Sequence, residues 1–110
     1  MNLQIQKETE GNTDKLLING EVDAYTAPKL KDTLISLTEQ KGREVVVDLS
    51  GVQYMDSTGL GVFVGALKSS QQHGSSLKLT GMTERVHRLF DITGLTDVMN
   101  IEAHTKGEVR

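Results

Sequence analysis

The sequence predicts an α/β domain built on one mixed, mostly parallel sheet of about five strands, in the order β-β-α-β-α-β-α-β. Short apolar runs, alternating or rich in β-branched residues, recur along the chain. Segments with apolar residues at three- and four-residue steps separate them, and a polar turn joins the first two runs. Strands separated by helices pair in parallel through right-handed crossovers, and the opening hairpin makes the sheet mixed.

With 110 residues, 36% hydrophobic and 25% charged, the chain reads as a single soluble domain over 1–110 with one core. No apolar run approaches the roughly 18 residues of a membrane helix, so no membrane association is expected. The start, Met1-Asn2-Leu3-Gln4-Ile5-Gln6-Lys7, lacks the basic and apolar regions of a secretion signal, which makes the cytoplasm the expected location. Without cysteine there is no disulfide, thiolate metal site or cysteine nucleophile. A net charge of −3, two Tyr, two Phe and no basic cluster argue against nucleic-acid binding.

In the first strand Leu3 and Ile5 alternate with polar residues, and Glu10-Gly11-Asn12-Thr13-Asp14 reads as a five-residue connection. Leu16, Ile18, Gly20 and Val22 then share one face of a second strand. Thr26 is the expected N-cap of the first helix, with Pro28 in its first turn, a stripe of Leu30, Leu34 and Leu37, and Gly42 at the C-cap position. Val45-Val46-Val47-Asp48-Leu49 lacks alternation, as expected of a central strand covered on both faces.

A second helix begins near Ser57 and carries Leu60, Phe63, Val64 and Leu67 on one stripe. Gly59, Gly61 and Gly65 each cost a helix about 0.5–1 kcal/mol relative to Ala, so backbone is expected to approach backbone there, at the sheet or at a partner. Residues 76–80 alternate as a strand. Thr83 caps a third helix that buries Val86, Leu89 and Phe90, and 98–101 form a last short strand. Residues 102–110 read as a polar tail or a short helix.

Three strand-to-helix loops, at 20–26, 50–57 and 80–83, leave the same sheet edge, where open α/β sheets bind ligands and partners. Asp23, Asp48, Asp56, Ser57 and Thr58 lie in or beside them. A serine nucleophile needs a nearby base. His73 falls at the far end of the helix that Ser57 starts, about 20 Å away at 1.5 Å per residue, while His87 is in a helix body and His104 in the tail. The histidines are scattered and the acids lack ligand spacing, so neither a metal nor another cofactor is expected. No Gly-x-x-x-x-Gly-Lys-Ser/Thr occurs. A phosphoacceptor role for Asp48 lacks the acidic pair and lysine that such chemistry uses. Two roles stay open for the corner at 56–58: a helix cap worth about 1 kcal/mol, or hydroxyls offered to another protein's active site.

Glu21-Val22-Asp23, Asp48-Leu49-Ser50-Gly51-Val52, Tyr54-Met55-Asp56-Ser57-Thr58-Gly59-Leu60-Gly61 and Arg88-Leu89-Phe90-Asp91-Ile92-Thr93-Gly94-Leu95 resemble the STAS domains of bacterial anti-sigma factor antagonists. The resemblance is to the RsbV type, which controls the general stress sigma factor in Bacillus-like bacteria. It implies a STAS fold and a partner-switching protein that is not an enzyme. Unphosphorylated, such a protein binds an anti-sigma factor with GHKL-type serine kinase activity and frees the sigma factor. That kinase inactivates it by phosphorylating the serine after the motif aspartate, here Ser57 rather than Thr58, and a PP2C-type phosphatase restores it. The partner-binding surface implied is Asp23, Asp56, Ser57, Thr58, Gly59 and Gly61. The alternative is a STAS module that binds a small ligand or nucleotide at the strand C-terminal edge.

Overall fold

Strand pairing follows chain order. The computed structural model describes residues 2–102. The elements are β1 (Leu3–Glu10), β2 (Thr13–Val22), α1 (Ala27–Thr38), β3 (Glu44–Met55), α2 (Ser57–His73), β4 (Ser76–Thr80), α3 (Glu84–Ile92), a 3-10 turn (Leu95–Asp97) and β5 (Asn100–Ile101). The sheet order is β1-β2-β3-β4-β5, with β1 antiparallel to β2 and the other pairs parallel. The predicted mixed, mostly parallel five-stranded sheet is therefore what the chain forms.

Each crossover steps to the next strand in the same direction, and right-handed connections of that kind stack every helix on one face of the sheet. Burial follows this geometry. Leu16, Ile18, Val45, Val47, Leu49, Leu77 and Leu79 are at most 6% exposed, whereas the intervening Leu17, Val46, Asp48, Lys78 and Thr80 are half-buried. The expectation that β3 is covered on both faces is thus corrected. Its unbroken valines suit a pleated backbone with neighbours on either side, and only alternate ones reach the core. Phe63 of α2 and Phe90 of α3 meet above the sheet with ring centroids 5.9 Å apart.

Four boundaries also differ from expectation. The hairpin turn is only Gly11-Asn12, with Glu10 paired to Thr13 and Gly11 at φ +58°; a tight turn of this hand fits the twist of the flanking strands. β3 continues through 50–55, because the end of β2 stays alongside it after register shifts between Leu17 and Asn19 and between Gly20 and Glu21. α1 ends at Thr38 with Glu39 as its C-cap; Gly42, at φ +81°, sits in the following turn and donates its N–H to the Gly74 carbonyl at 2.9 Å. β5 is only Asn100–Ile101, since the 3-10 turn takes up the preceding residues. Of the expected tail, residues 103–110 lie outside the described residues.

The sheet end remote from Ser57 is pinned by a charge pair. Arg43 Nε lies 3.1 Å from Asp14 Oδ2 and Nη2 lies 3.0 Å from Oδ1, and the Thr9 hydroxyl donates to Oδ1 at 2.9 Å. Asp14 is buried at the start of β2.

Candidate functional site

β3 hands over to α2 across one residue, Asp56. The Asp56 N–H donates to the Val22 carbonyl at 3.2 Å, which fixes the corner to the end of β2. Asp56 is extended (φ −113°, ψ −171°), and its Oδ1 accepts the Thr58 N–H at 3.0 Å. The cap is therefore Asp56. Ser57, the first helical residue, is left exposed, and its hydroxyl has no hydrogen-bond partner among the described residues. Thr58 is exposed beside it.

The three glycines of α2 separate into two kinds. A Cβ on Gly59 would lie 2.6 Å from Met55 Cγ and 2.8 Å from Val22 Cγ1, so this glycine makes room for side chains of the sheet, and the expected approach of backbone to backbone is corrected. At Gly61 and Gly65 a Cβ would meet nothing within 4 Å. Both open onto a groove of about 500 Å³ between α1 and α2, walled by Ala24, Ala27 and Pro28 on one side and by Thr58, Gly61, Val62 and Gly65 on the other. Lys31 and Asp32 also line it.

Asp23 is placed differently from a surface acid. It is 9% exposed, and its Oδ1 accepts the Tyr25 N–H at 2.9 Å and the Thr26 N–H at 3.0 Å. The Thr26 N–H, chiefly, holds its carboxyl below the ordinary carboxylate range against the opposing effect of burial; the Tyr25 N–H and the Thr26 hydroxyl assist. Thr26 is not a side-chain cap as expected. Its hydroxyl donates to the Glu21 carbonyl at 2.8 Å and accepts the Asp23 N–H at 3.0 Å, while the Ala27 N–H reaches the Asp23 carbonyl at 2.8 Å. Asp23 and Thr26 thus tie the β2–α1 loop to itself.

Asp48 spends its Oδ1 on the Ser50 N–H at 2.9 Å. The structure brings the β2–α1 loop and the 56–58 corner together, since Ala24 and Thr58 line one groove and Asp56 bonds to Val22. Among the described residues it brings no histidine to them. His73 Nδ1 lies 2.8 Å from the Ser69 carbonyl at the far end of α2, His87 is exposed on α3, and His104 is outside the described residues. Among the described residues no cluster of three or more His, Asp or Glu side chains could hold a metal ion, and no helix is long and apolar enough to cross a membrane.

Tyr25, 84% exposed in the β2–α1 loop, is a surface residue that no sequence motif singles out. An aromatic between a loop aspartate and a loop threonine, outside any apolar period, was the available signal.

The STAS domain model matches residues 4–107. The anti-sigma-B factor antagonist of Bacillus subtilis (strain 168) is 46% identical over 110 residues, covering 100% of both chains. An anti-sigma factor antagonist from Mycobacterium paratuberculosis has a similar solved structure, with a TM-score of 0.77 at 22% identity over 94% of this chain and 87% of that one. SpoIIAA, an anti-sigma factor antagonist, resembles this fold in both of its solved forms. Its unphosphorylated form gives a TM-score of 0.72 at 15% identity, covering 93% of this chain and 90% of that one; its phosphorylated form gives 0.68 at 18%, covering 92% and 93%. The Asp56–Ser57 corner therefore stands in a known architecture, and the chain belongs to the STAS domain family.

Proposed function

We propose that this protein is an anti-sigma factor antagonist whose binding is switched by phosphorylation of Ser57. The observation that carries the proposal is the division of labour at the corner: Asp56 caps α2, and the adjacent Ser57 hydroxyl is exposed and has no hydrogen-bond partner among the described residues. The partner is an anti-sigma factor with GHKL-type serine kinase activity, and the setting is the cytoplasm. In the forward step the Ser57 Oγ attacks the γ-phosphorus of ATP, the hydroxyl proton passes to a base of the kinase, and ADP leaves. In the reverse step a PP2C-type phosphatase directs water onto the phosphoester, returning the Ser57 hydroxyl and inorganic phosphate. This chain is the substrate in both steps and the catalyst in neither.

The energetics suit a local switch. A phosphate adds about −1.5 to −2 charges at neutral pH. The positive end of α2 offsets roughly 0.3–1 kcal/mol of that within the domain itself. Across a docked interface, like-charge juxtaposition costs several kcal/mol, and a loss of about 2.8 kcal/mol weakens binding about a hundredfold. Exclusion of the partner therefore needs no refolding. The resemblance of this fold to SpoIIAA in both phosphorylation states supports that view. The groove beside Thr58, lined mainly by small residues with one lysine and one aspartate, suits a protein side chain better than a nucleoside triphosphate.

The test is incubation with ATP and the anti-sigma factor, followed by phosphosite mapping. Phosphate on Ser57, with Ser57→Ala binding the partner yet escaping inactivation, is the expected result. Phosphate on Thr58 with Ser57 clean would overturn it.

A further inference from the structure

We propose that Tyr25 is an anchor of the partner-docking surface, and that Asp23 acts on the partner through the Tyr25 loop rather than by its own charge. This rests on reading the Ser57 corner as the place where the partner docks. Tyr25 is 84% exposed, the most exposed of the large hydrophobic side chains among the described residues, yet its backbone is tied into the hydrogen bonds of its own loop. Its N–H donates to Asp23 Oδ1, the next N–H donates to the same oxygen, and the Thr26 hydroxyl bridges Asp23 N–H to the Glu21 carbonyl. An aromatic ring on a loop that is already ordered offers a large contact area at small entropic cost, which is how rigid tyrosines become binding hot spots.

The position of the loop supplies the partner. Ala24, the neighbour of Tyr25, lines the same groove as Thr58, and Val22, three residues before Tyr25, carries the carbonyl that Asp56 grips. A protein that covers Ser57 therefore meets the Tyr25 loop on the same approach. Its complement to Tyr25 is an apolar or cationic pocket, since a phenol ring presents an apolar body, a π face and a polar tip. Asp23, 9% exposed, has one carboxylate oxygen committed to two backbone N–H groups, and this is the geometry of a residue that shapes a loop.

The experiment measures affinity for the purified anti-sigma factor together with thermal stability, using Tyr25→Ala, Asp23→Asn, Asp23→Ala and Ser57→Asp. Tyr25→Ala should weaken binding at least about tenfold with the melting temperature unchanged. Asp23→Asn keeps a carbonyl oxygen for the Tyr25 and Thr26 N–H groups while removing the charge, so it should bind within about twofold of wild type; Asp23→Ala should bind poorly. Wild-type affinity in Tyr25→Ala sinks the anchor role. Equal loss in Asp23→Asn and Asp23→Ala, with the stability of both intact, sinks the positioning role and assigns the contact to the charge. Ser57→Asp separates the two levels. If it loses binding while Tyr25→Ala does not, only the anchor fails; if it binds normally, the underlying reading of the corner fails.

Discussion

Gly59 and Met55 are packed so closely that a single methyl group added to Gly59 would sit 2.6 Å from the Met55 Cγ. The last core residue of β3 and the first buried residue of α2 thus lock the corner from below. Gly59→Ala should destabilise the domain by about 1–3 kcal/mol, because Val22 on the far side is stiff even where the methionine can yield. Gly61→Ala and Gly65→Ala, with open space at the same test, should stabilise it by about 0.5–1 kcal/mol each. Urea denaturation of the three variants checks the ordering.

Asp56→Ala removes the acceptor of the Thr58 N–H and should cost about 1 kcal/mol. Asp56→Ser or Asp56→Asn should restore most of it. Chemical denaturation with phosphorylation by the anti-sigma factor followed in parallel would show whether the cap also holds Ser57 in a reactive pose; loss of phosphorylation in Asp56→Ala but not in Asp56→Asn is the expected pattern.

The Asp14–Arg43 pair makes a pH prediction. The Arg43 hydrogen bond, chiefly, holds the Asp14 carboxyl below its ordinary value of 3.8, with burial opposing and Thr9 assisting. A depressed folded-state pKa means that the unfolded chain binds more protons, so the contribution is present above about pH 4 and is lost as pH falls through the folded value. Asp14→Asn should therefore melt roughly 5 °C below wild type at neutral pH. That gap should close in acid. A gap that stayed constant down to the acid limit would show that the charge on Asp14 does not matter.

Phosphorylated protein should melt within about 2 °C of the unphosphorylated form, since the helix terminus compensates the added charge locally. Its far-ultraviolet circular dichroism should superimpose on that of the free form. A shift much beyond this would point to a switch by rearrangement.

The elements were legible because each carries its own period: Leu30, Leu34 and Leu37 for α1, Leu77 and Leu79 for β4, and Val86 and Phe90 for α3. What was not legible depended on neighbours. Residues 50–55 look like a loop by composition, with Ser50, Gly51 and Gln53 among them, and become strand only because β2 continues beside them. The valines of β3 cannot reveal which face is covered, since that follows from the direction in which successive crossovers step. At the site, Asp56 and Ser57 were interchangeable as caps in the sequence; the extended backbone of Asp56 decides between them. Asp23 lies in the β2–α1 loop, as the sequence places it, but its bonds to the Tyr25 and Thr26 N–H groups were not legible, because a loop that hydrogen-bonds to itself leaves no periodic trace.

The single-residue joint between β3 and α2 has a consequence for recognition. A serine in a floppy loop is identified by the letters around it, and the enzyme bears the cost of ordering them. Here strand pairing on one side and a capped helix on the other hold Ser57 in advance, so under the proposed function the object a kinase would recognise is a shaped corner. A linear peptide copied from residues 52–62 has the same letters without that shape, and would have to be folded on the kinase before it could be read. If Ser57 is the acceptor, fidelity among similar partner pairs would reside in the contour of folded surfaces, which can diversify without any change in the acceptor sequence.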